Sequence, residues 1–166
     1  MDLISEEYLR LNQELHKNSP AFGKGGDKHA NIVQALCRYY KTENVLDYGC
    51  GKGRLQRALP FQIKEYDPGI LEKSIVVPAD LVICTDVLEH IEPEYLTNVL
   101  KHIASLMRIA GYFVISTILS TKELSDGRNT HLIVKQASWW RNKLDGFRIV
   151  TEIETDDTVE FYLEAK

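Results

Sequence analysis

The sequence of 166 residues has little cysteine and no long apolar run. Its three cysteines form no Cys-x-x-Cys pair, which argues against a disulfide framework or a structural zinc site. No apolar run approaches the roughly 18 residues that cross a bilayer, and the first residues lack the basic and apolar regions of a signal peptide. We therefore expect a cytoplasmic protein without membrane spans.

Positive charge does not predominate. Lysine and arginine together number 20 against 24 acidic residues, which gives a formal net charge of −4. No basic stripe indicates binding to a phosphate backbone, so a nucleic-acid partner is not expected. The hydrophobic share of 44% is that of an ordinary globular domain. Because no repeat or linker divides the chain, we expect a single domain over residues 1–166, with N-terminal helices and a loop in 1–42 and the core in 43–166.

Hydrophobic periodicity predicts alternating helices and strands. In the first 42 residues it predicts one helix behind Ser5 and a second over Lys28–Tyr40, with Asp27 as its candidate cap. The later alternation predicts an α/β fold with a mainly parallel sheet flanked by helices. Four polar residues, 155–158, are too few for a crossover helix, so the chain must end in an antiparallel hairpin. The expected core strands are 44–47, 62–66, 81–84, 112–116, 147–153 and 159–163, with helices after Gly53 and at 93–107 and 136–144.

The most specific motif is a glycine-rich turn at the end of the first core strand. There Asp47 precedes a G-x-G-x-G turn that includes Cys50. Glycines allow a sharp turn and a close approach of the backbone to a ligand, and the following helix offers N–H groups. The spacing differs from the G-x-G-x-x-G of dinucleotide-binding folds and from the triphosphate-binding loop. An adenosyl cofactor fits this edge, with Asp47 facing the cationic amino group of a methionine moiety. The glycines of the turn are Gly49, Gly51 and Gly53.

A second acid has the spacing that is typical of ribose binding. Asp67 lies 20 residues after Asp47, at the end of the next predicted strand, where doubly wound folds place the carboxylate that binds ribose hydroxyls. The alternative is structural: the glycines only make a tight turn, and Asp67 only opens a turn with Pro68 and Gly69. The context of strand, loop and helix around both acids favours the binding interpretation.

With these motifs, the chain resembles the Rossmann-like (class I) S-adenosylmethionine-dependent methyltransferases from about residue 45 to its C-terminus. The closing hairpin belongs to the resemblance. The resemblance implies that Asp47 and the glycine turn, with Cys50, hold the methionine end of S-adenosylmethionine. It also implies that Asp67, with Pro68, holds the ribose. One departure concerns the adenine end. Only twelve residues separate Asp67 from Asp80, too few for the family's usual helix and strand, so 74–77 is at best a remnant strand.

The segment over residues 80–91 is similar to the family's motif at the fourth strand. The resemblance implies that Thr85, Asp86 and Val87 edge the cofactor pocket. Carboxyl ends of strands are also where open α/β sheets bind ligands. The chain has neither the [DNS]-P-P-[YFW] motif of DNA amino-methylases nor the Pro-Cys pair of C5-cytosine enzymes at this position. Neither class of DNA enzyme is therefore expected.

Three residues of this segment have a spacing that suits proton transfer. Asp86, Glu89 and His90 are spaced i, i+3, i+4, which places them on one face if a helical turn begins here. The pattern is similar to that of magnesium-dependent RNA 2′-O-methyltransferases, in which His131 would be the further histidine. We predict Glu89, His90 and His131 as catalytic residues that accept a proton. Two alternatives remain, namely a divalent metal bound by this set and a histidine that only packs a helix. No metal site is assigned.

Segments outside the motifs are expected to select the acceptor. Residues 117–136 form a long polar connection, which is either a binding or lid segment or an ordinary surface turn. Trp139 and Trp140 either stack on a planar acceptor or pack in the core. The glycine-rich stretch 22–28 either closes over the cofactor carboxylate through Lys24 or Lys28 or is a plain flexible loop.

The predicted function is methyl transfer from S-adenosylmethionine to an O or N atom of a small molecule or sugar. A sulfonium is already activated, so the protein mainly aligns the nucleophile and excludes water. One alternative is RNA 2′-O-methylation with a divalent metal. The other is a non-catalytic, cofactor-binding partner subunit, which the short segment after Asp67 suggests.

Overall fold

Helices and strands alternate along the chain. The computed structural model describes residues 2–19 and 25–166. The strands are β1 (Val45–Tyr48), β2 (Lys64–Tyr66), β3 (Ala79–Thr85), β4 (Met107–Ser116), β5 (Phe147–Glu154) and β6 (Thr158–Ala165). The helices are α1 (Glu6–Asn18), α2 (Ala30–Tyr40), α3 (Arg54–Ala58), α4 (Leu96–Leu106) and α5 (Ala137–Lys143). Within the two described ranges, no helix is long and apolar enough to cross a membrane.

All six strands form one sheet in the order β2-β1-β3-β4-β6-β5. The first four strands in this order are parallel, and β6 is antiparallel to both β4 and β5. The predicted α/β fold and its closing hairpin are therefore confirmed. Every residue of β1 is buried, as expected for a parallel strand covered on both faces.

Helices cover both faces of the sheet. Successive side chains of a strand point to opposite sides, so neighbouring residues of one strand pack against different helices. On one face, Leu46 and Val82 belong to a core cluster that includes the buried residues of α4 and α5. On the other, Val45 and Leu81 pack with α2 and α3. This arrangement leaves the carboxyl ends of the parallel strands without a covering helix from either layer.

Helix α1 covers that end of the sheet. Ser5 caps the helix by accepting a hydrogen bond from Tyr8 N (3.1 Å) and donates its hydroxyl to Glu92 (2.6 Å). At the other end of α1, Lys52 Nζ donates to His16 O (2.6 Å). On its buried face, Tyr8 packs with Leu124 of the 117–136 segment. Both ends of α1 are thus tied to loops at the carboxyl edge of the sheet.

One local expectation was wrong, and another that was left open is now decided. Asp27 does not cap the second helix, because it lies inside a 3-10 turn, Gly26–His29, that leads into α2. Residues 74–77 form no strand: after the 3-10 turn Leu71–Lys73 the chain continues without regular structure to β3. There Asp67 N donates to Lys73 O (2.9 Å), so the chain folds back on the end of β2 instead of extending the sheet.

Candidate functional site

A cavity of about 390 Å³ opens at the carboxyl ends of β1, β2 and β3. The loops after these strands form one side, which we call the strand wall. Helix α1 forms the opposite side, the α1 wall, together with residues 120–122. Open parallel sheets bind ligands at this edge. The strand wall contains most of the predicted cofactor residues, namely Asp47, Gly49, Cys50, Gly51, Asp67, Pro68, Thr85, Asp86 and Val87.

Backbone geometry and close packing both require glycine in this turn. Gly49 has a φ of +80°, and a Cβ at this position would lie 2.3 Å from Val87 Cγ2. The turn therefore brings the loop after β3 directly against the loop after β1. Gly53 has a φ of +66° and precedes α3, but it does not line the cavity. Because α3 has only five residues, its dipole contributes little to ligand binding.

Asp47 is a buried carboxylate in the strand wall, only 4% exposed. Burial raises the pKa of Asp47 from its ordinary value of 3.8 to about 7. Within that shift, the nearby carboxylate of Glu65 acts in the same direction as burial, while Lys73 acts against it. A cation bound in the cavity would stabilise the ionised form of Asp47, which its surroundings disfavour.

Asp67 connects the two loops that end β1 and β2. Its Oδ2 accepts a hydrogen bond from Gly51 N and its Oδ1 accepts one from Gly69 N, both at 2.9 Å. His16 Nε2 of the α1 wall lies 3.9 Å from Oδ2. Each carboxylate oxygen has a second lone pair that a hydroxyl can use. The acid therefore shapes the turn and also faces the cavity.

Asp86 does not join Glu89 and His90, so the predicted shared face is wrong. Its backbone is left-handed, with a φ of +56°, and the following 3-10 turn begins only at Leu88. The Asp86 carboxylate instead lies 3.1 Å from Lys28 Nζ. This contact occupies Lys28, one of the two lysines predicted to reach the cofactor. Lys24, the other, lies outside the described residues.

Glu89, His90 and His131 do come together. One carboxylate oxygen and one nitrogen of each ring lie within 4.8 Å of one another. Glu89 is fully buried and does not line the cavity; its Oε1 accepts a hydrogen bond from Ser116 N (2.9 Å). Its Oε2 has no hydrogen-bond partner within residues 2–19 and 25–166. Burial raises the pKa of Glu89 to about 8, so this carboxyl is mostly protonated at neutral pH.

The two histidines line the cavity in a defined orientation. His90 Nδ1 lies 2.6 Å from Thr130 O, and His131 Nδ1 lies 2.7 Å from Ile118 O. A carbonyl oxygen only accepts, so Nδ1 is the donor in both bonds, and in a neutral ring Nε2 has the basic lone pair. Burial, aided by His131, lowers the pKa of His90 to about 4. The His90 ring is therefore neutral at neutral pH, and its surroundings disfavour the protonated form.

The α1 wall contains site residues that the sequence analysis did not identify. Tyr8, Asn12 and His16 follow at intervals of four, share one face of α1 and line the cavity. Tyr8 donates its hydroxyl to His90 O (2.5 Å), and burial raises the pKa of this phenol to about 12. The available signal was the presence of three polar groups on the apolar face of an amphipathic helix.

The two tryptophans have different environments. Trp140 is fully buried in the core, whereas Trp139 is half-buried and lines a second cavity, of about 410 Å³. Packing in the core is therefore confirmed for Trp140, whereas stacking of Trp139 on an acceptor stays a prediction. The three cysteines, Cys37, Cys50 and Cys84, are buried free thiols.

The sequence matches the family described as methyltransferase domain over residues 4–152. No curated protein matches it. These 149 residues, from α1 to β5, include both walls of the cavity. The family comparison therefore finds the same class of fold that the glycine turn and the two acids indicated.

Three solved structures share the fold. The N-methyltransferase NodS from Bradyrhizobium japonicum WM9, in complex with S-adenosylhomocysteine, has a TM-score of 0.60 at 15% identity, covering 97% of this chain and 99% of that chain. The 1,6-didemethyltoxoflavin-N1-methyltransferase from Burkholderia thailandensis has a TM-score of 0.65 at 14% identity, covering 100% and 92%. The magnesium protoporphyrin IX methyltransferase from Synechocystis PCC 6803 has a TM-score of 0.59 at 14% identity, covering 100% of both chains. At these identities the likeness concerns the fold.

Proposed function

Because this chain belongs to the methyltransferase domain family, we propose that it transfers the methyl group of S-adenosylmethionine to an O or N atom of a small-molecule acceptor. The solved NodS structure contains S-adenosylhomocysteine, and the Burkholderia enzyme contains that product together with its small-molecule substrate. These neighbours support the same cofactor and the same general class of acceptor for this chain.

The observation that carries the proposal is the buried Asp47 carboxylate at the end of β1. It lines the cavity, and its pKa of about 7 reflects an environment that disfavours a buried charge. The ammonium of a methionine moiety supplies the missing counter-charge. Cofactor binding therefore converts an unfavourable feature of the ligand-free fold into a binding interaction.

The strand wall holds the cofactor. The glycine turn with Cys50 takes the methionine end, Asp67 and Pro68 take the ribose, and the loop at residues 85–87 borders the reacting end. Since a sulfonium needs no further activation, these contacts fix the methyl group in line with the acceptor and keep water out.

His90 and His131 accept the proton when the acceptor atom belongs to a hydroxyl group. Their Nε2 atoms are the basic nitrogens, because both Nδ1 atoms donate to backbone carbonyls. Glu89 acts behind them as a positioning residue, since its carboxyl is buried and binds Ser116 N. An acceptor amine that arrives unprotonated needs alignment alone.

A thermal-shift titration with S-adenosylmethionine and S-adenosylhomocysteine tests the proposal. A ligand at 100 times its dissociation constant adds about 2.7 kcal/mol to the free energy of unfolding. We expect both compounds to raise the melting temperature, and adenine alone to do so far less. Absence of any shift contradicts the proposal. A shift without transfer to any acceptor favours the partner-subunit alternative.

RNA 2′-O-methylation is a second candidate, which the grouping of Glu89, His90 and His131 favours. Two imidazoles and a carboxylate form a donor set that suits Mn²⁺, Fe²⁺ or Zn²⁺ better than Mg²⁺. Such an ion would position the 2′-hydroxyl and lower its pKa. The acidic net charge opposes this reading. It requires that RNA methylation be lost in a chelator, return with Mn²⁺, and disappear in His131→Ala.

A further inference from the structure

The second cavity lies beside the proposed active site. It is formed by the residues just before and at the start of α4, the segment after β4, and α5. His131 lines both cavities, so this residue stands at their junction. A molecule in the second cavity therefore lies next to one of the proposed proton acceptors. The volume of about 410 Å³ is within the range of small-molecule sites, roughly 300–1,000 Å³.

Seven of the eleven residues that line this cavity are apolar. Leu119 is 65% exposed, although a side chain of this kind is usually buried. Trp139 is half-buried and adds an aromatic surface. Covering such surface with an apolar ligand is favourable, since about 25 cal/mol is gained for each Å² removed from water. The other apolar residues of the lining are Pro93, Leu96, Leu132, Ile133 and Val134.

The charge of this lining is opposite to that of the first cavity. Lys135 and Lys143 line the second cavity, and no aspartate or glutamate is among its described lining residues. Lys143 Nζ lies 5.1 Å from the centroid of the Trp139 ring, a cation–π contact that holds the ammonium at the cavity wall. The first cavity contains three carboxylates: Asp47, Asp67 and Asp86. The first cavity thus favours a cationic ligand and the second an anionic one.

We propose that the second cavity is the acceptor subsite, and that the acceptor is a flat apolar molecule with an anionic group. Its ring system packs on Trp139 and Leu119, and Lys143 and Lys135 bind the anionic group. The hydroxyl or amine that receives the methyl group points to His131 at the junction. This inference rests on the proposed function, because an acceptor subsite requires a cofactor in the first cavity.

The probe is 3-hydroxy-2-naphthoate, an aromatic carboxylate, and 2-naphthol is its neutral counterpart. Calorimetric titrations are made with S-adenosylhomocysteine in excess. We expect 3-hydroxy-2-naphthoate to bind roughly tenfold more tightly than 2-naphthol. Lys143→Gln should weaken the binding of 3-hydroxy-2-naphthoate by about the same factor and leave that of 2-naphthol unchanged. Arg38→Gln is the matched control, since Arg38 is exposed on α2, on the opposite face of the sheet.

Three results would overturn this assignment: equal binding of the two probes, equal effects of Lys143→Gln and Arg38→Gln, or competition between 3-hydroxy-2-naphthoate and S-adenosylhomocysteine. The thermal shift with S-adenosylhomocysteine is measured on the same proteins. If Lys143→Gln keeps that shift but loses affinity for the probe, both proposals are supported. If the unsubstituted protein shows no shift, the proposed function and the acceptor assignment fail together; if it shows the shift but the two probes bind equally, only the acceptor assignment fails.

Discussion

The two walls of the first cavity are built in different ways. The strand wall consists of loops that directly follow β1, β2 and β3, and close packing and hydrogen bonds join these loops, as between Gly49 and Val87 and between Gly51 and Asp67. The α1 wall is held by contacts between residues far apart in sequence, such as Tyr8 with His90. We infer that the strand wall provides ligand affinity, and that the α1 wall provides enclosure. Four predictions test this contrast.

The largest effect is expected from Gly49→Ala in the strand wall. A Cβ there would clash with Val87, and the positive φ adds backbone strain. Together these should lower the free energy of unfolding by roughly 3 kcal/mol. Gly127→Ala is the matched control, because Gly127 has a φ of +87° but no atom within 4 Å of its Cβ position. Urea denaturation of both variants is the measurement; equal losses would show that the close approach to Val87 does not matter.

Asp47→Asn should weaken S-adenosylhomocysteine binding by roughly 100-fold, about 2.7 kcal/mol. The ligand-free variant should nevertheless gain stability. Because the pKa of Asp47 is higher in the folded state (about 7) than its ordinary 3.8, the carboxyl destabilises the fold progressively as pH rises from about 4 to 7. Asparagine does not titrate, so the gain should be larger at pH 8 than at pH 5. If the variant were less stable than the unsubstituted protein at pH 8, Asp47 would serve folding, which contradicts the assignment of its carboxylate to binding.

The same carboxylate makes cofactor affinity depend on pH. A methionine ammonium needs ionised Asp47, so the dissociation constant should rise about tenfold per pH unit below about 7 and level off above it. The charged neighbours Glu65, Lys73 and Asp67 also act on this titration. Calorimetric titration from pH 5.5 to 8.5 measures the profile. If Asp47→Asn showed the same pH profile, the pH dependence of cofactor affinity would come from another titratable group.

The smallest effect is expected in the α1 wall, from Tyr8→Phe. Loss of the hydrogen bond to His90 O should lower the free energy of unfolding by about 0.5–1.5 kcal/mol and change cofactor affinity by less than about threefold. Tyr39→Phe, at a site 76% exposed, is the control and should change neither. If Tyr8→Phe weakened cofactor binding as much as Asp47→Asn, the contrast between the walls would fail.

The strand wall was predictable because its signals are local. Apolar strands, a glycine turn and an acid after each of two strands lie within short stretches, and parallel strands bring their carboxyl ends to one edge. The exception was Asp86. Its left-handed backbone removed it from the face of Glu89 and His90, and the spacing of residues does not report such a backbone angle.

The α1 wall was not predictable in the same way. The helix itself was expected from its periodicity and its Ser5 cap, and both are confirmed. Its position depends on contacts with residues more than 80 positions away, as from Ser5 to Glu92. No local sequence pattern reports such contacts. For this reason no sequence motif identified His16 and Asn12 as residues of the site.

Leu3 and Ala165 lie at opposite ends of the strands of the sheet, which matters for handling the protein. Leu3 lines the first cavity, so any peptide fused ahead of it emerges at the cavity mouth. Strand β6 starts opposite Ser116, beside the site, and runs away from it to Ala165. Affinity tags and surface linkers therefore belong after Lys166, where they leave the entrance for both ligands clear.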